Sequence, residues 1–390
     1  MLKIGLVPAE YGNSIYIRIE DKTITNILID GGTTSTFKKF LDDKIREIVD
    51  HNEKIDLLVC THIDDDHIKG LIPLVSKYKG NIIKEVWHNG FFQVVDRKYY
   101  LGANQQCLEN DTKIMKEIER LSINTDSHDI GINDSISFDT CLLENRIDTN
   151  ASRMGQAIMY NNTCDKLRCG QAEIIVLGPD ENELSALENK WSVEMFSRNY
   201  RFSVTNRVRL MKSFEIIMSR VQMLYLDEER NVSSDKDLIE YCTELNQVDS
   251  SITNASSISF VIKYNGKSFL FLGDSVVDED FLKRLSSIFG YEYKFACIQL
   301  PHHGSRYNIS KQFIKRYTAK EYYVLTNSNR FNHPDITTIA NVIVHNKDNK
   351  KIIFNYPIEK ASFFINKSWM KKYKYEVIMG DGTSIVERIY

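Results

Sequence analysis

The stretch VCTHIDDDHIKG at residues 59–70 places side chains that commonly bind metal ions at close spacing. His62, Asp64, Asp66 and His67 follow directly after an apolar run with the character of a buried strand. The adjacent carboxylates of residues 64–66 repel one another unless a cation or strong hydrogen bonds compensate them. Because α/β sheets present ligands beyond the carboxyl ends of their strands, the stretch predicts a cation site. A solvated acidic loop that caps the next helix is the alternative.

Other apolar runs end in polar residues of the same kinds. ILIDGG contains Asp30, FLFLGDS contains Asp274, and CIQLPHHGS contains His302 and His303. The chain has nine histidines, of which four lie in these strand-end clusters and a fifth candidate, His333, lies in NRFNHPD. Turn formation alone does not readily explain aspartate and histidine residues at so many strand ends. Their recurrence favours one shared metal site.

The elements that would position these residues predict an α/β layered fold. In the first third, the strand-like runs are KIGLV, SIYIRIE, NILIDGG, KIDLLVCTH and IIKEVWH, with the helical pattern HIKGLIPLVSKYKG before the last of them. In the last third they are SSISFVIKY, KSFLFLGDS, FACIQLPHHGS, YYVLTNS, KIIFNY and ASFFINK, with DEDFLKRLSSIFG as a helix. The middle is mainly helical, interrupted by SISFDTCLLEN and the strand-like AEIIVLGPDENEL. We therefore predict one domain over residues 1–390, with a catalytic core of 1–90 and 251–390 and a helical insertion at about 91–250.

Composition limits the classes of partner. The chain has 50 Lys and Arg against 53 Asp and Glu, a formal net charge of -3, so the whole molecule is not a generic polyanion binder. Its seven cysteines are scattered, which indicates reduced thiols rather than a disulfide framework. No run reaches the roughly 18 apolar residues of a membrane span, and the N-terminus does not resemble a signal peptide. These features predict a cytoplasmic protein with no membrane partner.

Taken in order, these motifs resemble those of the metallo-β-lactamase superfamily over most of the chain except roughly residues 90–250. The family pattern HxHxDH reads His62-x-Asp64-x-Asp66-His67 here. With GNSIYI, ILIDGG, NASSISFVIKYNGKSFLFLGDS, LPHHGS and NRFNHP, this substituted form is most similar to the metallohydrolase domain of ComEC-type DNA-uptake proteins and their soluble relatives. The resemblance implies an αββα sandwich whose strand ends form a groove for two metal ions. The membrane channel of ComEC is absent from this sequence.

The resemblance also implies a role for each motif residue. His62 and Asp64 would bind the first ion, Asp66 and His67 the second, and Asp274 would bridge both. Two divalent ions beside these three carboxylates leave a net charge of about +1, which a bridging hydroxide would cancel. A carboxylate in place of an imidazole makes the ligand set harder, so we expect either Zn²⁺ or Mn²⁺.

The remaining positions of the family pattern are less complete here. The resemblance favours His302 over His303 as the last ligand of the second ion, with His303 behind it. Asp30 matches the family aspartate that orients a ligand histidine. The third-motif histidine has no counterpart, because the matching stretch reads NASSIS. Asn254, Ser256 or water is left to fill that position.

Further residues near the strand ends are expected to contact a substrate or to act in catalysis. With Asp66, His333 is the second predicted catalytic residue, and it would contact the substrate or protonate a leaving group. A histidine at the start of a helix is the alternative for His333. His88, in VWHNG, is expected to line the groove without binding metal. The predicted substrate-binding residues are Asn254, Ser256, Ser305 and Asn329.

Two basic segments that contain aromatic residues bear on the substrate. They are NKWSVEMFSRNYRFSVTNRVRLMK at residues 189–212 and NKSWMKKYKY at residues 366–375. Charge neutralisation combined with base stacking is typical of proteins that hold single-stranded nucleic acid. An amphipathic helix with basic residues in solvent and aromatic residues in the core is the alternative for each segment.

The predicted function is a metal-dependent phosphodiesterase, expected to be a nuclease, that uses a hydroxide activated by two metal ions. A small-molecule ester or thioester hydrolase of the same fold is one alternative. A weakly metallated binding subunit in a bacterial defence system is another. The expected partners are nucleic acid and, as the candidate protein partner, an ATPase.

Overall fold

A computed structural model describes residues 1–95, 137–161, 166–197, 207–219, 237–243, 245 and 248–390. The strands are β1 Leu2–Leu6, β2 Ile15–Glu20, β3 Ile24–Ile29, β4 Leu57–Val59, β5 Val86–Trp87, β6 Lys166–Cys169, β7 Ala172–Gly178, β8 Ser259–Tyr264, β9 Lys267–Phe271, β10 Tyr293–Gln299, β11 Tyr317–Val324, β12 Lys350–Phe354, β13 Tyr375–Met379 and β14 Val386–Ile389. A 6-stranded sheet has the order β14-β1-β2-β3-β4-β5. An 8-stranded sheet has the order β13-β12-β11-β10-β9-β8-β7-β6.

Strands β3 and β4 of the 6-stranded sheet carry apolar residues on both faces. The sheet is antiparallel from β14 to β3 and parallel from β3 to β5. In β3, Ile27 and Ile29 pack into the core between the sheets, whereas Leu28 packs with the outer helices. Leu58 of β4 also faces outward. Both faces are covered, so these strands are near-continuous apolar runs in the sequence.

The 8-stranded sheet has an antiparallel half and a parallel half. Strands β6 to β9 are antiparallel, and β9 to β13 are parallel. In β9, Phe269 and Phe271 point into the core between the sheets, and Leu270 packs with the helices on the other side. The carboxyl ends of the parallel strands β9 to β12 therefore lie at one edge, where the polar residues of the chain are delivered.

Helices cover the outer face of each sheet. Leu41 and Leu74 pack against the 6-stranded sheet, and Phe281 and Ile339 pack against the 8-stranded sheet. The predicted αββα sandwich is therefore confirmed. The α-helices are α1 Thr34–Thr36, α2 Asp42–Asp50, α3 Asp65–Ile68, α4 Leu71–Tyr78, α5 Phe91–Val94, α6 Phe138–Glu144, α7 Glu181–Ser197, α8 Arg207–Met218, α9 Ile252–Ala255, α10 Glu279–Phe289, α11 Lys311–Arg316, α12 Ile336–His345, α13 Glu359–Phe363 and α14 Lys367–Tyr373. A π-helix, Phe37–Leu41, joins α1 to α2, and 3-10 turns span Ala151–Arg153, Leu238–Tyr241 and Pro301–Gly304.

Two local predictions differ from the structure, and a third segment bears on where the core of the fold lies. The run SISFDTCLLEN, predicted to interrupt the helical region, contains α6, whose start is capped by the Ser137 side chain. ASFFINK, predicted as a strand, contributes to α13 and the turn after it. AEIIVLG forms the strand β7, as its apolar run predicted. Both β6 and β7 belong to the 8-stranded sheet, although the two strands lie within the predicted insertion at 91–250. The core therefore includes these strands, and much of the rest of that segment lies outside the described residues.

Candidate metal centre

The polar residues at the strand ends meet at one edge of the sandwich. Asp30 follows β3, His62 follows β4, Asp274 follows β9, and His302 and His303 follow β10. Strands β3 and β4 are parallel in one sheet, and β9 and β10 are parallel in the other, so each pair of carboxyl ends lies together. All five residues are buried. The structure thus brings together side chains that are more than 270 positions apart along the chain.

Two overlapping groups of ligand atoms form the centre of this site. In one group, single ligand atoms of His62, His67 and Asp274 lie within 4.8 Å of one another, and in the other those of Asp66, His67 and His303 do so. His67 Nε2 is 3.4 Å from Asp274 Oδ2, and His303 Nε2 is 3.3 Å from Asp66 Oδ2. His67 belongs to both groups, so the two groups form one continuous centre.

The three consecutive aspartates divide between the centre and solvent. Asp64 precedes α3 and its Oδ2 lies 3.5 Å from His62 Nε2, where burial raises the pKa of the carboxyl. Asp66 is buried in the first turn of α3. Asp65 points outward and pairs with Lys69 Nζ at 2.5 Å. The acidic stretch therefore combines the two alternatives considered for it, because one carboxylate lies on the helix surface and two lie in the centre.

The histidines of the centre are held at one ring nitrogen and unpaired at the other. The Nδ1 contacts are His67 to Asp30 Oδ2 at 2.8 Å, His303 to the Leu325 carbonyl at 2.7 Å, and His62 to Thr61 Oγ1 at 3.1 Å. The Nε2 atoms of His62, His67 and His303 are buried and have no hydrogen-bond partner among the described residues. Histidines held in this way are typical of metal ligands. Imidazole and carboxylate are donors for both Zn²⁺ and Mn²⁺, so these residues fit a metal centre.

The charges of the centre reinforce this fit. Burial alone would raise the pKa of Asp274, but His67, His303 and His302 hold that pKa well below its usual value. Burial would lower the pKa of His67, but the carboxylate of Asp274 raises it well above the usual value. The pKa of Asp66 is lowered to about 2, because His303 and His67 outweigh its burial. The carboxylates of Asp66 and Asp274 thus remain ionised and stabilise positive charge at the Nε2 atoms.

Both residues of the consecutive pair His302 and His303 turn their rings toward the centre. Each has a left-handed backbone, with φ 45° and 58° respectively. His303 Nε2 lies 3.3 Å from Asp66 Oδ2, whereas His302 Nε2 lies 3.8 Å from Asp274 Oδ2. These distances favour His303 as the ligand beside Asp66, which reverses the preference drawn from the resemblance. His302 faces the same Asp274 oxygen as His67, so it is available to the centre as a further ligand.

Asp249, which the sequence analysis did not single out, supports His302. His302 Nδ1 lies 2.9 Å from Asn308 Oδ1 and 3.6 Å from Asp249 Oδ2. Asp249 accepts hydrogen bonds from Asn254 Nδ2 at 2.7 Å and Asn308 Nδ2 at 2.9 Å. Burial would lower the pKa of His302, but Asp274 and Asp249 raise it to about 9. Asp249 follows no apolar strand, so no pattern in the sequence marked it.

Of the two residues considered for the third-motif position, only Asn254 reaches the centre. Asn254 Nδ2 is 3.4 Å from His302 Nδ1, and its Oδ1 is buried with no hydrogen-bond partner in the described part of the chain. The Ser256 hydroxyl donates to the carbonyl of Thr253 at 2.7 Å, within its own turn. A second residue missed by the sequence analysis, Asn13 of the GNS turn, donates to Asp274 Oδ1 at 3.3 Å.

His333 lies beside the histidine pair, as expected for a residue of the same site. Its ring centroid is 5.1 Å from that of His302 and 6.4 Å from that of His303. Burial, followed by the charges of His302 and His303, holds the pKa of His333 well below its usual value. These effects favour the neutral form of the ring, and the role of His333 in contacting a substrate or protonating a leaving group stays a prediction.

The predicted substrate-binding residues Ser305 and Asn329 lie in different environments. Ser305 is buried, and its Oγ accepts the N–H of Tyr307 at 3.2 Å. Asn329 is exposed, and its N–H bonds to Asn327 Oδ1 at 3.0 Å. Of the two, Asn329 is therefore the one open to an incoming ligand.

An aromatic rim formed by Tyr11, Arg330 and Phe331 lies next to Asn329. The Arg330 guanidinium is 4.9 Å from the ring centroids of both Tyr11 and Phe331. The Phe331 ring is 6.3 Å from the rings of His302 and His333. Burial raises the pKa of Tyr11, and the positive charge of Arg330 partly opposes this effect. The negative charge of Asp66 also raises the pKa of Tyr11. The rim thus adjoins the histidines of the candidate centre on one side and solvent on the other, at the exposed Arg330.

The described parts of the two basic segments match the amphipathic alternative. Trp191 is buried in the cluster that joins α5, α7 and α8, and Lys190 pairs with Glu194 at 2.8 Å. In the second segment Trp369 is buried, and Lys372 pairs with Asp237. Arg198, Tyr200, Arg201 and Phe202 of the first segment lie outside the described residues.

None of the helices in the described part of the chain has both the length and the apolar character that a membrane span requires.

Comparisons with known proteins bear on the fold. The family described as Metallo-beta-lactamase superfamily matches residues 7–91. The comparison with curated proteins found no match. Residues 7–91 thus carry the sequence signature of that superfamily, and the αββα sandwich is its fold. The closer likeness to ComEC-type proteins stays a prediction.

The solved structures found by the comparison share little sequence with the chain. YhfI, a metallo-beta-lactamase fold protein from Bacillus subtilis, is 9% identical over 99% of both chains, with a TM-score of 0.36. CmlA, a diiron beta-hydroxylase from Streptomyces venezuelae, is 11% identical over 100% of this chain and 54% of its own, with a TM-score of 0.40. A diphosphatase of the PhnP family is 9% identical over 100% of this chain and 98% of its own, with a TM-score of 0.35.

Proposed function

We propose that the chain is a metal-dependent phosphodiesterase that acts on nucleic acid. The observation that carries this proposal is the convergence of three unpaired, buried Nε2 atoms on the carboxylates of Asp66 and Asp274. When bound, two divalent ions lower the pKa of a water molecule and stabilise the oxygens of an in-line displacement. The residues proposed to hold them, as Zn²⁺ or Mn²⁺, are His62, Asp64, Asp66, His67, Asp274, His302 and His303.

The chain's own contribution is to fix these ligands before anything binds. Asp30 holds His67, and the Leu325 carbonyl holds His303, each through Nδ1. Asn13 donates to one oxygen of Asp274, which leaves the other oxygen for the histidines. Ligands held by a second layer of hydrogen bonds lose little orientational freedom on binding, so the site is preorganised.

The charge of the loaded site is compatible with an anionic substrate. The carboxylates of Asp64, Asp66 and Asp274 do not fully neutralise two divalent ions, and a net charge of about +1 is left before any hydroxide binds. The hydroxide that would act as nucleophile cancels this excess, so the charge balance is compatible with a phosphodiester but does not by itself distinguish it from a neutral ester or thioester.

The aromatic rim supports nucleic acid within that class. Arg330 is exposed and can contact a phosphate, while Tyr11 and Phe331 are half-buried rings beside it. Base stacking on such rings contributes about 1 to 3 kcal/mol per base without sequence preference. A protein partner such as an ATPase stays a prediction.

Neighbouring aspartates provide a matched pair of variants to test the proposal. Asp66→Asn removes a carboxylate of the centre, whereas Asp65→Asn makes the same change at the surface pair with Lys69. With Mn²⁺ or Zn²⁺ added, we expect wild type and Asp65→Asn to cleave single- or double-stranded DNA or RNA, and Asp66→Asn to be slower by about 100-fold or more. Metal content, measured by elemental analysis on the same samples, should be higher in wild type and Asp65→Asn than in Asp66→Asn.

The outcomes separate the alternatives. Equal rates for Asp66→Asn and Asp65→Asn would contradict the proposed centre. Bound metal without cleavage of any nucleic acid would move the assignment to a small-molecule hydrolase, which a panel of thioesters and lactones would detect. Little metal and no cleavage would favour a binding subunit.

The rim provides the test of substrate class. Phe331→Leu removes a stacking surface, and we expect it to raise KM for an oligonucleotide about tenfold. Its cleavage of a small chromogenic phosphodiester should stay close to the wild-type rate. Equal losses on both substrates would argue that Phe331 supports the fold of the site rather than the substrate.

A further inference from the structure

We propose that His88, Asp139 and Glu215 form a separate buried site for one divalent transition-metal ion. His88 follows β5 of the 6-stranded sheet, Asp139 lies in α6, and Glu215 lies in α8. None of the three belongs to the metal centre or to the hydrogen bonds that orient its ligands. The proposed ion would join two helices of the predicted insertion to the sheet, and it does not depend on the proposed function.

The ligand atoms of these residues lie at the distances expected around a metal ion. One atom from each of the three side chains lies within 4.8 Å of the others. His88 Nε2 is 3.2 Å from Asp139 Oδ1. Two ligands at this separation, each about 2.1 Å from an ion, subtend an angle of about 100° there, between the tetrahedral and octahedral values. The side chains are nearly inaccessible, with exposures of 0% for His88, 3% for Asp139 and 7% for Glu215.

The ring nitrogens of His88 indicate that this cluster binds a metal ion and is not simply a group of acidic residues. Both of its ring nitrogens are buried and have no hydrogen-bond partner among the described residues. The Nε2 contact with Asp139 is short but does not have the geometry of a hydrogen bond, so an N–H at Nε2 would not point at the carboxylate. The same combination of a close carboxylate and an unpaired Nε2 occurs at His67 and His303 in the metal centre.

The two carboxylates are held in place by backbone N–H groups. Glu215 accepts hydrogen bonds from the N–H groups of Phe138 at 2.8 Å and Asp139 at 2.7 Å. Asp139 Oδ2 accepts the N–H of Phe91 at 2.9 Å. Each of these three carboxylate oxygens uses one lone pair for its hydrogen bond and keeps another that can bind a metal ion. The remaining oxygen, Asp139 Oδ1, accepts none of these bonds and faces His88.

The charges of the three proposed ligands match one divalent ion. Two ionised carboxylates beside a neutral imidazole carry a charge that one divalent ion neutralises. One nitrogen and two oxygen donors form a harder set than the histidine-rich centre, so Mn²⁺ and Zn²⁺ are both acceptable ions and Mn²⁺ is the better probe.

Gly90 shows how closely the chain fits this cluster. A Cβ atom on Gly90 would lie 2.2 Å from Asp139 Oδ1 and 2.5 Å from Asp139 Oδ2. Gly90→Ala would therefore displace the carboxylate while leaving all three proposed ligands in the sequence. It serves as a second way to damage the site.

Counting ions in a chain whose metal centre is disabled tests this site directly. We would equilibrate the full-length variant Asp66→Asn/Asp274→Asn with Mn²⁺, remove free metal, and measure Mn per chain and the melting temperature. We expect near one ion per chain and a melting temperature that rises with Mn²⁺. Adding His88→Asn should reduce the count by one and abolish the rise, and Gly90→Ala should weaken Mn²⁺ binding at least tenfold.

Two results would overturn the proposal. The first is a folded Asp66→Asn/Asp274→Asn variant that binds no Mn²⁺. This result is informative by itself, because the variant keeps all three proposed ligands. The other is an ion count that His88→Asn leaves unchanged. A failure of the phosphodiesterase proposal is distinguishable from both, because it would appear as absent cleavage by wild type while this ion is still counted.

Discussion

Replacing Asp30 by asparagine tests whether the orientation of His67 controls metal binding. Asp30 is buried, and it accepts the N–H of Thr61 at Oδ1 and the Thr61 hydroxyl at Oδ2, both at 2.8 Å. Its Oδ2 also lies 2.8 Å from His67 Nδ1. Asp30 has a left-handed φ of 56°, a conformation that asparagine tolerates well among non-glycine residues. The fold is therefore expected to survive the substitution.

The expected loss follows from the hydrogen bonds. If the asparagine oxygen keeps the Thr61 N–H, its NH₂ group takes the place of Oδ2 and faces His67 Nδ1. Two N–H donors cannot share this contact, so His67 must carry its proton on Nε2, the atom 3.4 Å from Asp274 Oδ2. Loss of such an orienting carboxylate typically reduces metal affinity about 10- to 100-fold. This corresponds to about 1.4 to 2.7 kcal/mol.

The assay is a calorimetric Mn²⁺ titration of wild type and Asp30→Asn. Asp56→Asn is the matched control, because Asp56 precedes β4 at the opposite end of that strand and also accepts a backbone N–H, from Asn26 at 2.8 Å. Its Mn²⁺ affinity should equal that of wild type. Melting curves without metal establish that each variant is folded. Wild-type Mn²⁺ affinity in a folded Asp30→Asn chain would refute the role given to His67.

Three other changes have expected outcomes. Gly12→Ala would place a Cβ 1.9 Å from the carbonyl oxygen of Asp66. The resulting shift of Asp66 should lower the proposed phosphodiesterase activity by about 100-fold, and an unaltered rate would contradict this expectation. Ile17→Ala, between the sheets, should lower the free energy of unfolding by about 2 to 5 kcal/mol in urea titrations, whereas Ile24→Ala, at a 40% exposed position, should change it by less than about 0.5 kcal/mol. Burial would raise the pKa of Glu321, but hydrogen bonds from an arginine and a tyrosine hold it below the usual value. Its stabilising effect is thus present above the unfolded pKa of about 4.3 and lost as the pH falls through the folded value, so Glu321→Gln should destabilise at pH 7 and have less effect as the pH drops toward 3; an equal effect at both ends would refute this.

The sequence predicted the strand ends of the site because two independent signals coincide there. At Asp274 and His62, a buried apolar run stops and a polar side chain follows, and both features are local. Parallel strands place such ends at one edge, so the shared site followed from the strand pattern without knowledge of the contacts.

Contacts between distant segments were beyond the reach of these signals. Asp249 supports His302 from 53 positions away and follows no strand. His88 was expected to line the groove, but it contacts Asp139, which lies in a run that was predicted to interrupt the helical region. Local patterns predict which face an element buries, whereas the partner across that face depends on how the elements pack.

Left-handed backbone at three residues of the proposed metal centre would link metal binding to folding. Asp30, His302 and His303 have φ of 56°, 45° and 58°. Side chains of an extended strand alternate between faces, so His302 and His303 can both face the centre only by leaving that conformation. Such residues cost of order 1 to 3 kcal/mol each, which the surrounding contacts must offset. A ligand at 100 times its Kd stabilises the folded state by about 2.7 kcal/mol, so one bound ion offsets strain of the same size. The metal that we propose for catalysis should therefore also contribute to keeping these residues in their conformations.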